Sequence, residues 1–279
     1  MKTSSKPKSI TKSINFRFEE NFFNTNQTYI HKTSILGPNV ELDHNVKIGP
    51  FCSIIGKVKI HKNTRIYPNV SIGFPAQSLD TYKSLGSIII GNNCTIREFV
   101  SIGSSKYENG TTNIGNNCYI MSYCHIAHDV ILQDNVTLIN NVNLGGHVFI
   151  GKNAFLMANC ASHQFCRIGQ YCALAPFSAT RQDLAPFCLF SGLPAKFYGL
   201  NVVALKRAGL NQNNINSLKH VTKLFFQNKV LLNDIKKLSQ KNSEASWGKD
   251  ENVQKFLEFI QNSKRGVSRK SNSKEHIDG

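Results

Sequence analysis

No run of eighteen uninterrupted apolar residues occurs in this 279-residue chain, so no helix is expected to span a membrane. The first 28 residues are polar and lysine-rich and lack an apolar core of the secretory kind, which predicts no signal peptide and a cytoplasmic location. Eight cysteines in that setting are expected to be thiols rather than a disulfide framework. The motifs G-x-x-x-x-G-K-[ST], G-x-G-x-x-G and G-x-S-x-G are all missing, which argues against P-loop, dinucleotide-binding and serine-hydrolase chemistry. Acidic residues are few, 17 against 33 basic ones, for a net charge of +16.

That charge is uneven. Residues 196–279 hold sixteen basic and seven acidic side chains, whereas residues 29–195 hold twelve and eight. A positive field concentrates anionic partners, among them phosphorylated small molecules and acidic carrier proteins. Nucleic acid is not expected, because the basic residues are dispersed and lack interleaved aromatics.

What is present is a period of six. From Ile30, steps of six residues reach Leu36, Leu42, Ile48 and so on to Thr180, and 21 of the 26 slots hold Ile or Leu without a slip of register. Neither a 3.6-residue helix nor a two-residue strand generates this period. Four residues after most slots stands a small or β-branched residue, and seven of the eight cysteines occupy that place; only Cys188 does not. Gly, Asn or Asp lie between, as in IGNNCT and LQDNVT. This is the hexapeptide signature of a parallel β-helix, with aliphatics inward, small residues at the corners and turn formers tolerating the corner dihedrals. The cysteines then act as small hydrophobes, and their spacing of six is no zinc motif. Three walls of six residues make a coil of eighteen, so the phased stretch predicts about eight and a half coils. Phe74 to Ser87 and Ser104 to Thr112 keep phase but lose the pattern, and are expected to project as loops carrying binding groups.

The expected organisation is a flexible extension at 1–28, the β-helix at 29–191, a helical domain at 192–266 and a disordered tail at 267–279. SGLPAKFYGLN reads as a linker. Helical spacing follows, with Ile215, Leu218, Val221, Leu224, Phe225, Leu232 and Ile235 as a stripe that packs the helices together, and a last helix ends at Gly266.

Coil arithmetic groups the histidines. Eighteen residues beyond His128 is Gly146 and eighteen further is Gln164, so these three should line one edge, with His147 and His163 as neighbours and His125 nearby. A neutral imidazole serves as a general base near pH 7, and a glycine offers an unobstructed N–H to a developing oxyanion, a pairing suited to acyl transfer. A ladder of hydrogen-bonded polar side chains would use the same positions; four histidines within 39 residues, with Gln164, favour a site. No acidic cluster accompanies them at ligand spacing, and neither a metal nor a cofactor is expected.

HIAHDV, GGHVFIG, ASHQFCRIG, ATRQDLAPF, GLPAKFYGLN and LKRAGL resemble the bacterial UDP-N-acetylglucosamine O-acyltransferases that open lipid A synthesis, over roughly Ile30 to Gly266. The resemblance implies a mainly β fold, a left-handed parallel β-helix followed by a small α-helical C-terminal domain, and a homotrimer with active sites between subunits. It implies His128 as general base, Asp129 as its orienting partner and the Gly146 N–H as oxyanion donor. His125, His147, His163 and Gln164 would position sugar and acyl chain, and Asn201 and Arg207 the nucleotide. The donor would be a 3-hydroxyacyl chain on acyl carrier protein, an acidic partner that suits the basic C-terminal third. Departures from the family pattern fall on Ser78, on Ile102 to Ser105, on Val203 and on Ala208. Acylation of a different nucleotide sugar, O- or N-linked, and an inactive trimeric scaffold therefore stand as alternatives. Pro176, where the family often has Gly, suggests a shorter acyl chain.

Overall fold

A computed structural model describes residue 22 and residues 26–78, 86–241 and 246–269. The six-residue period becomes a three-walled spiral. The first wall is a ten-stranded sheet beginning at Tyr29–Ile30, the second an eight-stranded sheet beginning at Ile35–Leu36, and the third a seven-stranded sheet beginning at Val40–Leu42. Strands pair in parallel with the strand one coil on: Lys47 with Arg65, His125 with Asn143, Ile131 with Phe149. From Ile48 to Leu174 the Ile and Leu slots are fully buried and form the axis of the core. Each such side chain contributes about 1.5–3 kcal/mol relative to exposure. At the open first coil Ile30 is still 43% exposed.

Corners turn on residues with positive φ, asparagine more often than any other residue, as at Asn63, Asn93, Asn117 and Asn135. Asparagine bears the left-handed conformation better than most residues and pairs along the edge. Asn45 donates to Asn63 at 2.8 Å and Asn63 to Asn93 at 2.9 Å. All eight cysteines are buried free thiols, seven of them in the small inward slot.

Two loops leave the spiral in register. Ser87 pairs with Lys57, a spacing of 30, and Thr111 with Ser87, a spacing of 24. The loops therefore add twelve and six residues to a coil of eighteen and leave the phase intact. This corrects the coil count. The slots at Ser78 and Glu108 belong to the loops, that at Ser84 lies outside the described residues, and among the described residues 23 phased strands remain, fewer than eight complete coils.

The stretch expected as a linker is a hairpin. Cys188–Gly192 extends the first wall beside Ala173–Leu174, and Ala195–Leu200 returns antiparallel to it. A boundary after residue 191 would cut this hairpin, whose Gly and Pro form its turn. Helices follow: α1 (Val202–Arg207), α2 (Gln212–Thr222), continued by a π-helical turn Lys223–Gln227, then α3 (Leu232–Lys241) and α4 (Glu251–Gln261). The apolar stripe packs inward: Ile215, Leu218, Val221, Phe225 and Ile235 are buried, and Phe226 stacks on Phe197 of the hairpin at 3.9 Å. The last helix ends at Gln261, five residues before Gly266. Val267 and Ser268, expected in the tail, fold back onto the spiral. Val267 bridges Asp183, and the Ser268 N–H donates to the Asp183 carbonyl at 2.9 Å. The rest of the extension and tail, residues 1–21, 23–25 and 270–279, lies outside the described residues, as does the 79–85 part of the first loop. Among the described residues no helix is long and apolar enough to cross a membrane.

Candidate active site

The edge between the second and third walls holds the histidines. His128, Gly146 and Gln164 are the first residues of three stacked corners, and Asp129, His147 and Phe165 are the second, at φ of 60°, 60° and 64°. The His147 N–H donates to the His128 carbonyl at 3.1 Å, and the Phe165 N–H to that of Gly146 at 2.9 Å. On this edge the corner column carries Asp, His and Phe, whereas the column that includes Asn63, Asn93, Asn117, Asn135 and Asn153 carries Asn.

His128 and Asp129 form a dyad. His128 Nδ1 lies 2.8 Å from Asp129 Oδ2. An ionised carboxylate only accepts, so Nδ1 carries the proton and Nε2 is left with its lone pair. Burial raises the Asp129 carboxyl, but hydrogen bonds from Ser105 and then His128 outweigh it, and the net shift is downward. The carboxyl thus stays ionised at neutral pH. Its backbone N–H donates to Thr112 Oγ1 at 2.8 Å.

The His128 ring lies over Gly146. A Cβ on that glycine would sit 2.5 Å from Cε1 and 2.6 Å from Nε2 of the imidazole. The Gly146 N–H donates to no group among the described residues. A base with a free lone pair therefore adjoins an uncommitted amide.

His147 meets the His128 ring edge-on at 5.1 Å and stacks on Phe165 at 4.5 Å. Burial holds its pKa below the usual histidine value, Asp129 offsetting part of the effect. His125, on the second wall, accepts or donates one hydrogen bond with Ser101 at 2.7 Å and is also lowered, by burial and by His128. His125, His128, Gly146, His163 and Gln164 line one groove of about 450 Å³, with His163 and Gln164 exposed at its far end.

Asn201 and Arg207 are elsewhere. Asn201 caps α1 and donates through Nδ2 to the Tyr171 carbonyl at 2.9 Å. With exposed Arg207 it lines a groove of about 580 Å³ on the first wall, together with Tyr171, Val203 and Ala208. The edge bearing His128 joins the other two walls, so one chain does not gather all nine expected residues into one cleft.

Among the described residues, the ligand-type atoms of His128, Asp129 and His147 lie within 4.8 Å of one another. A metal there would have to displace the hydrogen bond that the His128 nitrogen and the Asp129 oxygen make to each other.

Residues of the second loop to which sequence reasoning gave no role complete the surroundings. The Ser105 hydroxyl donates to Asp129 Oδ1, the Lys106 N–H lies 3.3 Å from Oδ2, and Tyr107 faces His147 at 5.9 Å. The available signal was the loop itself, where the repeat fails.

Two family models match parts of the chain. The family described as "Udp N-acetylglucosamine O-acyltransferase; Domain 2" matches residues 183–268, and "Bacterial transferase hexapeptide (six repeats)" matches 40–73 and 111–146. The acyl-[acyl-carrier-protein]–UDP-N-acetylglucosamine O-acyltransferase of Thermodesulfovibrio yellowstonii is 41% identical over 260 residues, covering 86% of this chain and 99% of that protein. The chain belongs to the UDP-N-acetylglucosamine O-acyltransferase family. Two solved members of that family superpose over most of their length. The Francisella novicida enzyme has a TM-score of 0.79 at 27% identity, covering 90% of this chain and 99% of its own. The Campylobacter jejuni enzyme has a TM-score of 0.73 at 32% identity, with coverages of 88% and 98%. This O-acyltransferase family folds as a left-handed parallel β-helix with a helical C-terminal domain, and the present chain has that architecture.

Proposed function

We propose that this protein transfers a 3-hydroxyacyl chain from the thioester of acyl carrier protein to the 3-hydroxyl of UDP-N-acetylglucosamine, the first step of lipid A biosynthesis. The observation that carries the reading is the Asp129–His128 dyad standing over the uncommitted amide of Gly146.

His128 Nε2 takes the proton of the sugar hydroxyl as its oxygen attacks the thioester carbonyl. Asp129 holds the tautomer that leaves Nε2 free and stabilises the imidazolium that forms. The Gly146 N–H stabilises the oxyanion of the tetrahedral intermediate. The intermediate collapses, the carbon–sulfur bond breaks, and the carrier thiolate recovers the proton from His128. His125, His163 and Gln164 hold sugar and acyl chain along the groove they line, and His147, packed edge-on against His128, positions them from beside it. Asn201 and Arg207 serve the nucleotide end from a neighbouring copy in a homotrimer. The separation of the first-wall groove from the histidine edge supports that arrangement, since the two halves of the site would meet between subunits.

The test is radiolabelled acyl transfer from 3-hydroxyacyl carrier protein. His128→Ala should lower kcat by about 10²–10⁴-fold, the usual contribution of a general base. Equal product from the variant would refute the assignment. A second reading is acylation of another UDP-sugar. Val203 and Ala208 favour it, because they present no charge beside Arg207 in the first-wall groove. A higher kcat/KM with an amino sugar than with UDP-N-acetylglucosamine would select it.

A further inference from the structure

The second loop leaves the spiral after Ser101–Gly103 and returns at Thr111–Ile114. It is tied down at its start, where Ser104 Oγ donates to the Gly73 carbonyl at 2.9 Å and the Ser104 N–H to that of Phe74 at 3.0 Å. The next residue, Ser105, is fully buried. Its hydroxyl oxygen accepts the Tyr107 N–H at 3.1 Å. Its single proton has two acceptors in reach, the Tyr107 carbonyl at 3.2 Å and Asp129 Oδ1 at 2.5 Å. The shorter, charge-assisted contact takes the proton.

Each oxygen of Asp129 thus has its own donor. Oδ1 accepts from Ser105, while Oδ2 accepts from His128 Nδ1 at 2.8 Å and faces the Lys106 N–H at 3.3 Å. A carboxylate held at both ends does not turn about its own axis. There is a competitor for it: His147 Nε2 lies 3.8 Å from Oδ2 and has no hydrogen-bond partner among the described residues. The loop is also shaped around the serine. A Cβ on Gly110 would lie 2.0 Å from Ser105 Oγ and 3.0 Å from Asp129 Oδ1, and one on Gly86 would lie 2.7 Å from Ser105 Cβ. Two glycines are therefore required for the chain to close on this hydroxyl.

We propose that Ser105 is a positioning residue of the acyl transfer, acting on His128 through Asp129. It pins Oδ1, so that Oδ2 stays on His128 Nδ1 and does not swing to His147. The dyad is in effect a relay of three side chains, and its outer member comes from a segment outside the hexapeptide pattern. This inference rests on the acyl-transfer reading above.

The experiment is a double-mutant cycle on the full-length protein. Ser105→Ala should lower kcat roughly ten- to a hundredfold, the worth of a hydrogen bond to a charged group, with KM for the nucleotide sugar unchanged. Ser105→Cys, a weaker donor, should fall between the two. In an Asp129→Ala background Ser105→Ala should cost nothing further, because its route to His128 is gone; a merely structural serine would give losses that multiply. Wild-type kcat in Ser105→Ala, or multiplying losses, overturns the inference while a dead His128→Ala variant leaves the acyl-transfer reading standing. If His128→Ala keeps full activity, that reading fails first and this one with it.

Discussion

Gly146→Ala is the smallest change that reaches the proposed chemistry. The glycine is not among the residues with positive φ, so an alanine there meets no backbone objection. The objection is the imidazole: the added methyl would stand 2.5 Å from His128 Cε1, 2.6 Å from Nε2 and 3.1 Å from Nδ1. Carbon atoms pack at about 3.5–4.0 Å, so the ring must retreat by about 1 Å. Its retreat is opposed by the 2.8 Å bond to Asp129 and by the His147 ring packed edge-on against it. A displacement of about 1 Å at the reacting groups costs about 10²-fold in rate, and overpacking costs about 1–3 kcal/mol of stability. The expected result is a folded variant whose kcat is about a hundredfold low and whose urea midpoint is reduced. Adding His128→Ala removes the ring, so the same glycine substitution should then cost almost no stability. An undiminished kcat in Gly146→Ala, or an equal stability loss with and without the imidazole, would show that the ring does not lie over the glycine and would sink the proposed site.

Two further outcomes follow from burial and from backbone conformation. His125 and His147 both have folded-state pKa values below the ordinary 6.5, burial being the first cause in each. The unfolded chain therefore takes up protons at a higher pH than the folded one, and stability is lost as pH falls below about 6.5. The depressed carboxyls of Asp129 and Glu98 act only below about 4, so the two windows are separate. Urea midpoints should drop between pH 7.5 and 5.5, and His147→Gln should flatten the drop; an unchanged slope would remove His147 as a contributor. At the corners, Asn117 adopts φ of 55° and accepts a hydrogen bond from Asn93. Asn117→Val should cost about 1–2 kcal/mol in urea unfolding, because a β-branched residue is strained there; an unaltered midpoint would count against the strain.

The spiral was legible because its code is redundant. An inward Ile or Leu every six residues, with a small partner four on, is repeated on all three walls, and loops whose lengths are multiples of six do not disturb it. The same tolerance caused the miscount of coils, since Ser78 and Glu108 fall on phase inside loops. The hairpin at 188–200 was illegible for another reason. Gly192 and Pro194 are turn residues at either reading, and what makes a hairpin of them is Phe197 stacking on Phe226, nearly thirty residues away. Local composition does not contain that contact.

The site divides along the same line. Whatever lies on the spiral follows from arithmetic: steps of eighteen bring His128, Gly146 and Gln164 to one edge, and their neighbours Asp129 and His147 must follow because each corner has two turn residues. Those positions point away from the core, so the fold can hold Asn at one corner and Asp or His at another without loss of packing. That freedom is why chemistry collects there. It also limits what arithmetic can find. Within the repeat, His128 holds one oxygen of the Asp129 carboxylate, and the period of six supplies nothing for the other. The constraint comes from a segment where the period lapses, through Ser105 and the Lys106 amide. The repeat places His128 and Asp129, and a departure from the repeat holds the Asp129 carboxylate in place. In a spiral of this kind, loops that keep register but lose pattern are therefore the places to look for residues that act on the edge beside them.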